Sequence, residues 1–178
     1  MHDLRRRAWW VLLAFTVLLG LFGIGDVLIG PAFDPGITLG LTGLTHAQLQ
    51  AESPAGYRML DFYTRVGGIN LMAISAALTT VVLIPYRAGR RWAWWALWIA
   101  PAWTVGAFAI NAAFGVAEGQ APPPPMVSGP ILGAITAAAL LLDAPRFLGA
   151  PDRGQADREP GEPATTPPSP QGQAATRL

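Results

Sequence analysis

The chain has 178 residues, of which 52% are hydrophobic and 13% are charged, and its formal net charge is +1. Soluble domains carry nearer 25% charged residues, so this composition predicts an integral membrane protein with the lipid bilayer as its surroundings. The absence of cysteine excludes disulfide bonds, thiolate metal sites and cysteine nucleophiles. Two histidines and a weak net charge give no support for a metal site, another cofactor or a nucleic-acid partner.

The first apolar segment runs from Ala8 to Gly25, contains Thr16 as its one polar side chain and follows three arginines. At about 1.5 Å per residue it crosses most of a hydrocarbon core of about 30 Å. The alternative is a signal peptide, whose apolar region is usually shorter, about 7 to 15 residues. We therefore predict an uncleaved transmembrane helix over residues 8–29.

Three further uncharged segments predict three more transmembrane helices, over residues 66–86, 92–115 and 126–143. Pro101 is expected to kink the third of them. Four crossings place both chain ends on one side of the membrane. The predicted fold is an all-α membrane protein, an antiparallel bundle of four transmembrane helices within residues 1–143.

Arginine distribution predicts the orientation of this bundle. Ten arginines fall on the side that holds the chain ends, and only Arg58 and Arg65 fall on the other. Because excess arginine marks the cytoplasm, both termini are predicted to be cytoplasmic, in a bacterial inner membrane. Six of the seven tryptophans are predicted to anchor the same interface. They are Trp9, Trp10, Trp92, Trp94, Trp95 and Trp98.

The segments outside the spans differ in character. In the outer loop, residues 31–64, Thr45 and Gln48 have the spacing of a capping box, which predicts a short helix over residues 45–52. Ser53 and Pro54 predict the start of a helix that continues into the second span, with a bend at the glycine pair 67–68. Residues 144–178 contain seven prolines among polar residues, which predicts a disordered cytoplasmic tail.

Polar residues from three spans fall near the outer edge of the membrane. Asp26 and Asn111 lie about 27 and 28 Å along their helices, and Asn70 lies just inside the outer end of its own. Arg65 and Asp61 have the i,i+4 spacing of an ion pair. One interpretation is a ligand-binding pocket lined by Asp26, Arg65, Asn70 and Asn111. The other is structural, with Asp26 paired to Arg65 and the amides joining helices.

Three spans carry a stripe of mostly small and polar residues at helical spacing, and we expect these stripes to face the bundle interior. They are Thr16, Leu19, Gly23 and Asp26; Asn70, Ala73, Ala77 and Thr80; and Ala100, Thr104, Ala107 and Asn111. In the fourth span, Gly129 and Gly133 are spaced to let a neighbouring helix approach closely.

No catalytic motif or metal-ligand constellation is present in the sequence. We therefore predict a non-catalytic accessory or interaction subunit whose partner is another membrane protein or a second copy of the chain. The alternative is a lipid- or quinone-binding protein, or an enzyme, that uses the outer polar pocket around Asp26 and Arg65.

Two segments carry a resemblance to a known family. Residues 63–71 read Tyr-Thr-Arg-Val-Gly-Gly-Ile-Asn-Leu, and residues 87–95 read Arg-Ala-Gly-Arg-Arg-Trp-Ala-Trp-Trp. Over residues 8–142 the chain resembles small bacterial four-helix membrane proteins of the DoxX-like kind. The resemblance implies a four-helix antiparallel bundle, an association with quinone or thiol redox partners in some relatives, and a functional interest of Arg65 with its glycine pair.

Overall fold

The computed structural model describes the backbone of residues 2–149 and the side chains of residues 8–149. Every regular element in this part of the chain is helical. The helices are α1 (His2–Ile29), α2 (Pro35–Thr42), α3 (His46–Glu52), α4 (Pro54–Val81), α5 (Arg91–Leu97), α6 (Ile99–Phe114) and α7 (Pro124–Leu148). A 3₁₀ turn, Gly30–Phe33, follows α1, and a π-helical turn, Val82–Tyr86, follows α4.

Four helical segments are long and apolar enough to cross a membrane. They are Ala8–Phe33, Pro54–Tyr86, Arg91–Phe114 and Pro124–Leu148. The two ends of the described chain lie on one side of the bundle, here called the terminal side. Helices α2 and α3 and residues 115–123 lie on the opposite side, the loop side. The predicted all-α bundle of four spans is confirmed.

The fourth span is longer than predicted at both ends. Two prolines fit into the first turn of α7, where backbone N–H groups have no acceptor within the helix. At the other end Phe147 is buried, and its ring centre lies 4.9 Å from that of Tyr86. Residues 144–148 therefore belong to the packed helix and not to the tail. The rest of the predicted tail, from residue 150, lies outside the described residues.

The predicted helix starts on the loop side are confirmed. Thr45 and Gln48 form the reciprocal capping box at the start of α3. The Ser53 hydroxyl accepts a hydrogen bond from the backbone N–H of Gly56 and caps α4. Helix α4 then continues without interruption through the glycine pair at which a bend was predicted.

Prolines interrupt the regular helix on the terminal side. Pro85 lies in the π-helical turn that ends the second span. The third span is broken at Trp98, between α5 and α6, three residues before Pro101. Pro101 has no N–H for the carbonyl one turn earlier, so the break agrees with the predicted kink.

Glycine brings α1 and α4 into backbone contact. A Cβ atom on Gly68 would lie 2.7 Å from the carbonyl oxygen of Gly23. Nearer the terminal side, the Ser75 hydroxyl donates to the carbonyl oxygen of Thr16 at 2.7 Å. The face of α4 that contains Gly68 and Ser75 therefore points inward.

The stripe predicted to face inward on the second span points outward instead, since Asn70, Ala73, Ala77 and Thr80 are all exposed. Apolar residues surround this helix on every side, so sequence periodicity does not separate its lipid face from its inner face. The stripes of the first and third spans are inward as predicted, and their best buried members are Thr16, Gly23, Ala100 and Thr104.

The hydrophobic core lies toward the terminal side and includes one of the predicted interfacial anchors. Trp94 is 3% exposed, and its indole N–H donates to the carbonyl oxygen of Leu140 at 2.9 Å. Trp94 is therefore a core residue. The sequence does not reveal this role, because it depends on contact with α7. Trp10, Trp92 and Trp95 are exposed at the same end, and their role as interfacial anchors stays a prediction.

Candidate ligand-binding cavity

A cavity of about 200 Å³ lies in the middle and loop-side part of the bundle. Helices α1, α6 and α7 form most of its wall, and α4 contributes one side chain. The apolar part of the wall includes Phe15, Leu18, Leu19, Phe22, Leu71, Trp103, Ala107 and Leu132. Along α1 the lining extends from Phe15 to Asp26, or about 16 Å at 1.5 Å per residue. The cavity is therefore elongated along the helix axes.

Uneven helix packing creates this space. Helix α1 packs against α4 and α7, and α7 packs against α6, whereas α4 and α6 are not packed extensively against each other within residues 2–149. Toward the terminal side, Gly133 lies directly against the Thr104 hydroxyl. One turn nearer the loop side, a Cβ atom on Gly129 would make an ordinary contact of 3.5 Å with the carbonyl oxygen of Thr104. The helices therefore close the space at Gly133 and leave it open at Gly129.

Two carboxylates, Asp26 and Asp34, are the charged groups in the cavity lining. Asp26 lies in the last turn of α1, and Asp34 lies between the 3₁₀ turn and α2. Gly30, with a φ of +71°, begins the turn that leads from one to the other. Neither carboxylate forms a salt bridge with a side chain in the described part of the molecule, and the Asp34 side chain does not cap α2. Two carboxyl groups beside one apolar space favour a cationic group near them.

Arg65 does not neutralise these carboxylates. Its Nε donates to Asp61 Oδ1 at 3.0 Å and to Asp61 Oδ2 at 3.1 Å. Its Nη1 donates to the carbonyl oxygen of Val27, in the last turn of α1. The predicted Asp61–Arg65 ion pair is confirmed, whereas the alternative pairing of Arg65 with Asp26 is not formed. Arg65 binds the end of α1 to α4, and it is not among the residues that line the cavity.

The structure also separates the two asparagines of the predicted pocket from the cavity. Asn70 is exposed on the outward face of α4. Asn111 is half-buried, and its amide donates to the carbonyl oxygen of Ala107 on its own helix at 2.8 Å. Of the four residues predicted to share one pocket, Asp26 alone lines the cavity.

Among the residues that line the cavity, sequence reasoning missed Asp34 and Trp103, and it placed Thr104 on an inward-facing stripe without assigning it to a pocket. Asp34 had a detectable signal, because an Asp followed by Pro marks the start of a helix. A helix at that position brings Asp34 back toward the end of α1. Trp103 is 41% exposed and carries no sequence feature that separates it from the predicted interfacial tryptophans.

Comparison of the chain with protein-family models, with curated proteins and with solved structures finds no match. The resemblance to DoxX-like proteins therefore stays a prediction. The candidate site rests on the geometry of the cavity and its two carboxylates.

Proposed function

We propose that this protein is a non-catalytic integral membrane protein that binds a lipophilic molecule in the cavity between α1, α6 and α7. The observation that carries the proposal is an apolar cavity, about 16 Å long, with its charged groups at the loop-side end. Pockets for drug-sized ligands usually measure about 300–1,000 Å³. A cavity of about 200 Å³ therefore suits one hydrocarbon chain, with the head group of the ligand near Asp26 and Asp34.

The loose packing of α4 against α6 supports entry of the ligand from the bilayer. Leu71 on α4 and Trp103 on α6 both line the cavity, and Trp103 is partly exposed. A lipophile already dissolved in the membrane reaches these side chains without crossing an aqueous phase. Exchange between cavity and bilayer then requires only small movements of α4 and α6 relative to each other.

The charge around the cavity favours a ligand with a cationic head. Asp26 and Asp34 are without a salt-bridge partner among the described side chains, and Arg65 is already held by Asp61. An ammonium group, whether primary or quaternary, places a positive charge beside both carboxylates. A quinone is uncharged and has only carbonyl acceptors, so it offers the two carboxylates neither a positive charge nor a hydrogen-bond donor. We therefore propose an amine-bearing lipophile, in preference to a quinone, as the ligand.

The membrane side of the cavity follows from the arginine distribution. With both termini in the cytoplasm of a bacterium, the cavity opens toward the outer leaflet of the inner membrane. The ligand is then a lipid-like cation that reaches the cell from outside or resides in that leaflet.

Filling the cavity tests the proposal. Ala107 lines it, whereas Ala109 is exposed on the same helix. Ala107→Phe should abolish binding of dodecyltrimethylammonium to the full chain in non-ionic detergent, and the matched control Ala109→Phe should bind it as the unsubstituted chain does. Native mass spectrometry counts the bound cations directly.

Two results would contradict the proposal. One is that the unsubstituted chain takes up no more dodecyltrimethylammonium than an unrelated four-span protein of similar size. The other is that both phenylalanine variants retain equal binding, since the ligand would then lie outside the cavity. Circular dichroism of each variant shows whether the helical content is kept.

A further inference from the structure

The outward face of α4 has properties that the cavity does not explain. Tyr63, Asn70, Ala77 and Ile84 are exposed and recur at every seventh position along the second span. Gly67 and Ala73 lie beside them on the same face. We call these six residues the Asn70 face. Heptad spacing suits packing against a further helix at a small crossing angle, and the small residues Gly67, Ala73 and Ala77 allow that helix to approach closely.

Gly67 is not required by the fold of the single chain. A Cβ atom placed on it would meet no other atom within 4 Å. Its neighbour Gly68 is different, because a Cβ atom there would lie 2.7 Å from the carbonyl oxygen of Gly23. One glycine of the pair therefore serves packing within the chain, and the other leaves an open notch on the Asn70 face.

Asn70 is the unsatisfied polar group in the membrane-spanning part of α4. Ser75, Thr79 and Thr80 each donate a hydrogen bond within the described structure. Asn70 forms none there and is exposed. It lies about 7.5 Å deeper than Arg65 and about 25 Å from Arg87 at 1.5 Å per residue, which places it inside a core of about 30 Å. An amide facing hydrocarbon without a partner is costly.

We propose that the Asn70 face is a homodimer interface, at which Asn70 of one copy forms hydrogen bonds with Asn70 of the second copy. Two copies inserted in the same direction and related by an axis along the membrane normal bring identical residues to identical depth. The side-chain amide has both donors and an acceptor, so it is complementary to its own copy. Gly67 and the two alanines allow the backbones to approach closely enough for these bonds.

A second copy fits this face better than a different protein does. A different partner must supply its own polar group at the depth of Asn70, whereas a second copy supplies one by symmetry. The chain also has a second face of exposed small residues, Ala102, Gly106, Ala109 and Ala113 on α6. That face carries no polar side chain, so nothing on it requires a hydrogen-bond partner, and it serves as the matched control. The dimer is independent of ligand binding in the cavity.

Cross-linking of the full chain in lipid vesicles tests the interface, because the natural chain has no cysteine. Single substitutions Ala77→Cys, on the Asn70 face, and Ala109→Cys, on α6, are compared under mild oxidation at increasing lipid-to-protein ratio. We expect a covalent dimer for Ala77→Cys that persists on dilution with lipid, and only collisional cross-linking for Ala109→Cys. Adding Asn70→Leu to Ala77→Cys should lower the dimer association constant about 3- to 30-fold, the range that membrane hydrogen bonds give.

Further variants separate a lost interface from a lost fold. Asn70→Gln keeps the amide and should retain most of the dimer. Gly67→Ile should block dimer formation, whereas Gly106→Ile should not, and both sites have room for the side chain in the single chain. Equal cross-linking of the two cysteine variants would overturn the proposal, as would a dimer unaffected by Asn70→Leu. A different protein on the Asn70 face, identified by mass in the native membrane extract, would overturn it too.

Discussion

Aspartates have opposite surroundings in the two halves of the bundle. On the terminal side, Asp143 is 3% exposed, accepts a hydrogen bond from the Tyr86 hydroxyl at 2.8 Å and lies 3.9 Å from Nη1 of Arg146. On the loop side, Asp26 and Asp34 face a cavity and have no salt bridge within the described side chains. The terminal side therefore uses its carboxylate to stabilise the fold, whereas these two loop-side carboxylates have no such partner among the described side chains.

Side chains are also buried more completely on the terminal side than on the loop side. Leu12, Val82 and Leu140 on the terminal side are at most 1% exposed. Exposure around the cavity is uneven, since Phe22 and Trp103 are 44% and 41% exposed whereas Phe15 and Leu19 are 6% and 7% exposed. The terminal side thus holds the four spans together, which allows the loop side to keep an open space.

The largest effect is expected at Tyr86. Tyr86→Ala removes the ring that packs on Phe147 and the donor to Asp143, so we expect a loss of about 3–5 kcal/mol in the free energy of unfolding. Tyr86→Phe keeps the ring and should cost about 1–3 kcal/mol, since the buried carboxylate loses its donor. Titration with sodium dodecyl sulfate in mixed micelles measures both.

The matched change on the loop side is Trp103→Ala. Because Trp103 borders a cavity and is partly exposed, this variant should lose less than half as much stability as Tyr86→Ala. An equal loss at the two positions would contradict the division of the bundle into a packed half and an open half.

The next prediction compares the two glycines of the pair Gly67 and Gly68. Gly68→Ala should cost about 1–3 kcal/mol, because the added Cβ must displace the carbonyl of Gly23. Gly67→Ala should be neutral or stabilising by up to about 1 kcal/mol, since it adds helix propensity without a clash. Unfolding in the same micelles, at a concentration that keeps the chain monomeric, compares the two. Equal effects would mean that α4 is rotated about its axis relative to this structure.

The smallest effect is expected at the exposed ion pair. The side chains of Arg65 and Asp61 are 41% and 35% exposed. Asp61→Asn should therefore lower the free energy of unfolding by less than about 1 kcal/mol. Raising the salt concentration should lower the stability of this variant little further. Asp143→Asn, which changes a buried group, should cost more. A greater loss of stability for Asp61→Asn than for Asp143→Asn would show that Asp61, through Arg65 and its bond to Val27, is essential to the stability of the loop side.

Much of the fold could be predicted from the sequence, because its signals are local. Runs of uncharged residues gave the four spans, Thr45 and Ser53 gave two helix starts, and the i,i+4 spacing gave the Asp61–Arg65 pair. Each depends on residues within one or two turns of the chain, so no knowledge of the packing was needed.

The rotation of α4 and the composition of the cavity could not be predicted in this way. Lipid is as apolar as the interior of the bundle, so hydrophobicity did not decide whether Gly67 or Gly68 faces inward. Placing Asn70 and Asn111 at one depth was therefore insufficient to bring them together. Asp26 was identified because a carboxylate inside a span is conspicuous, whereas Asp34 depended on the unpredicted turn into α2.

The selectivity of the cavity for charge tests the central claim most directly. Native mass spectrometry of the full chain, mixed with equal amounts of dodecyltrimethylammonium and dodecanol, compares a cationic head with a neutral one on the same hydrocarbon chain. We expect at least about a tenfold preference for the cation, since two carboxylates lie beside the head group. The double variant Asp26→Asn, Asp34→Asn should lose this preference and still bind dodecanol. A preference that survives in the double variant, or none in the unsubstituted chain, would contradict the account.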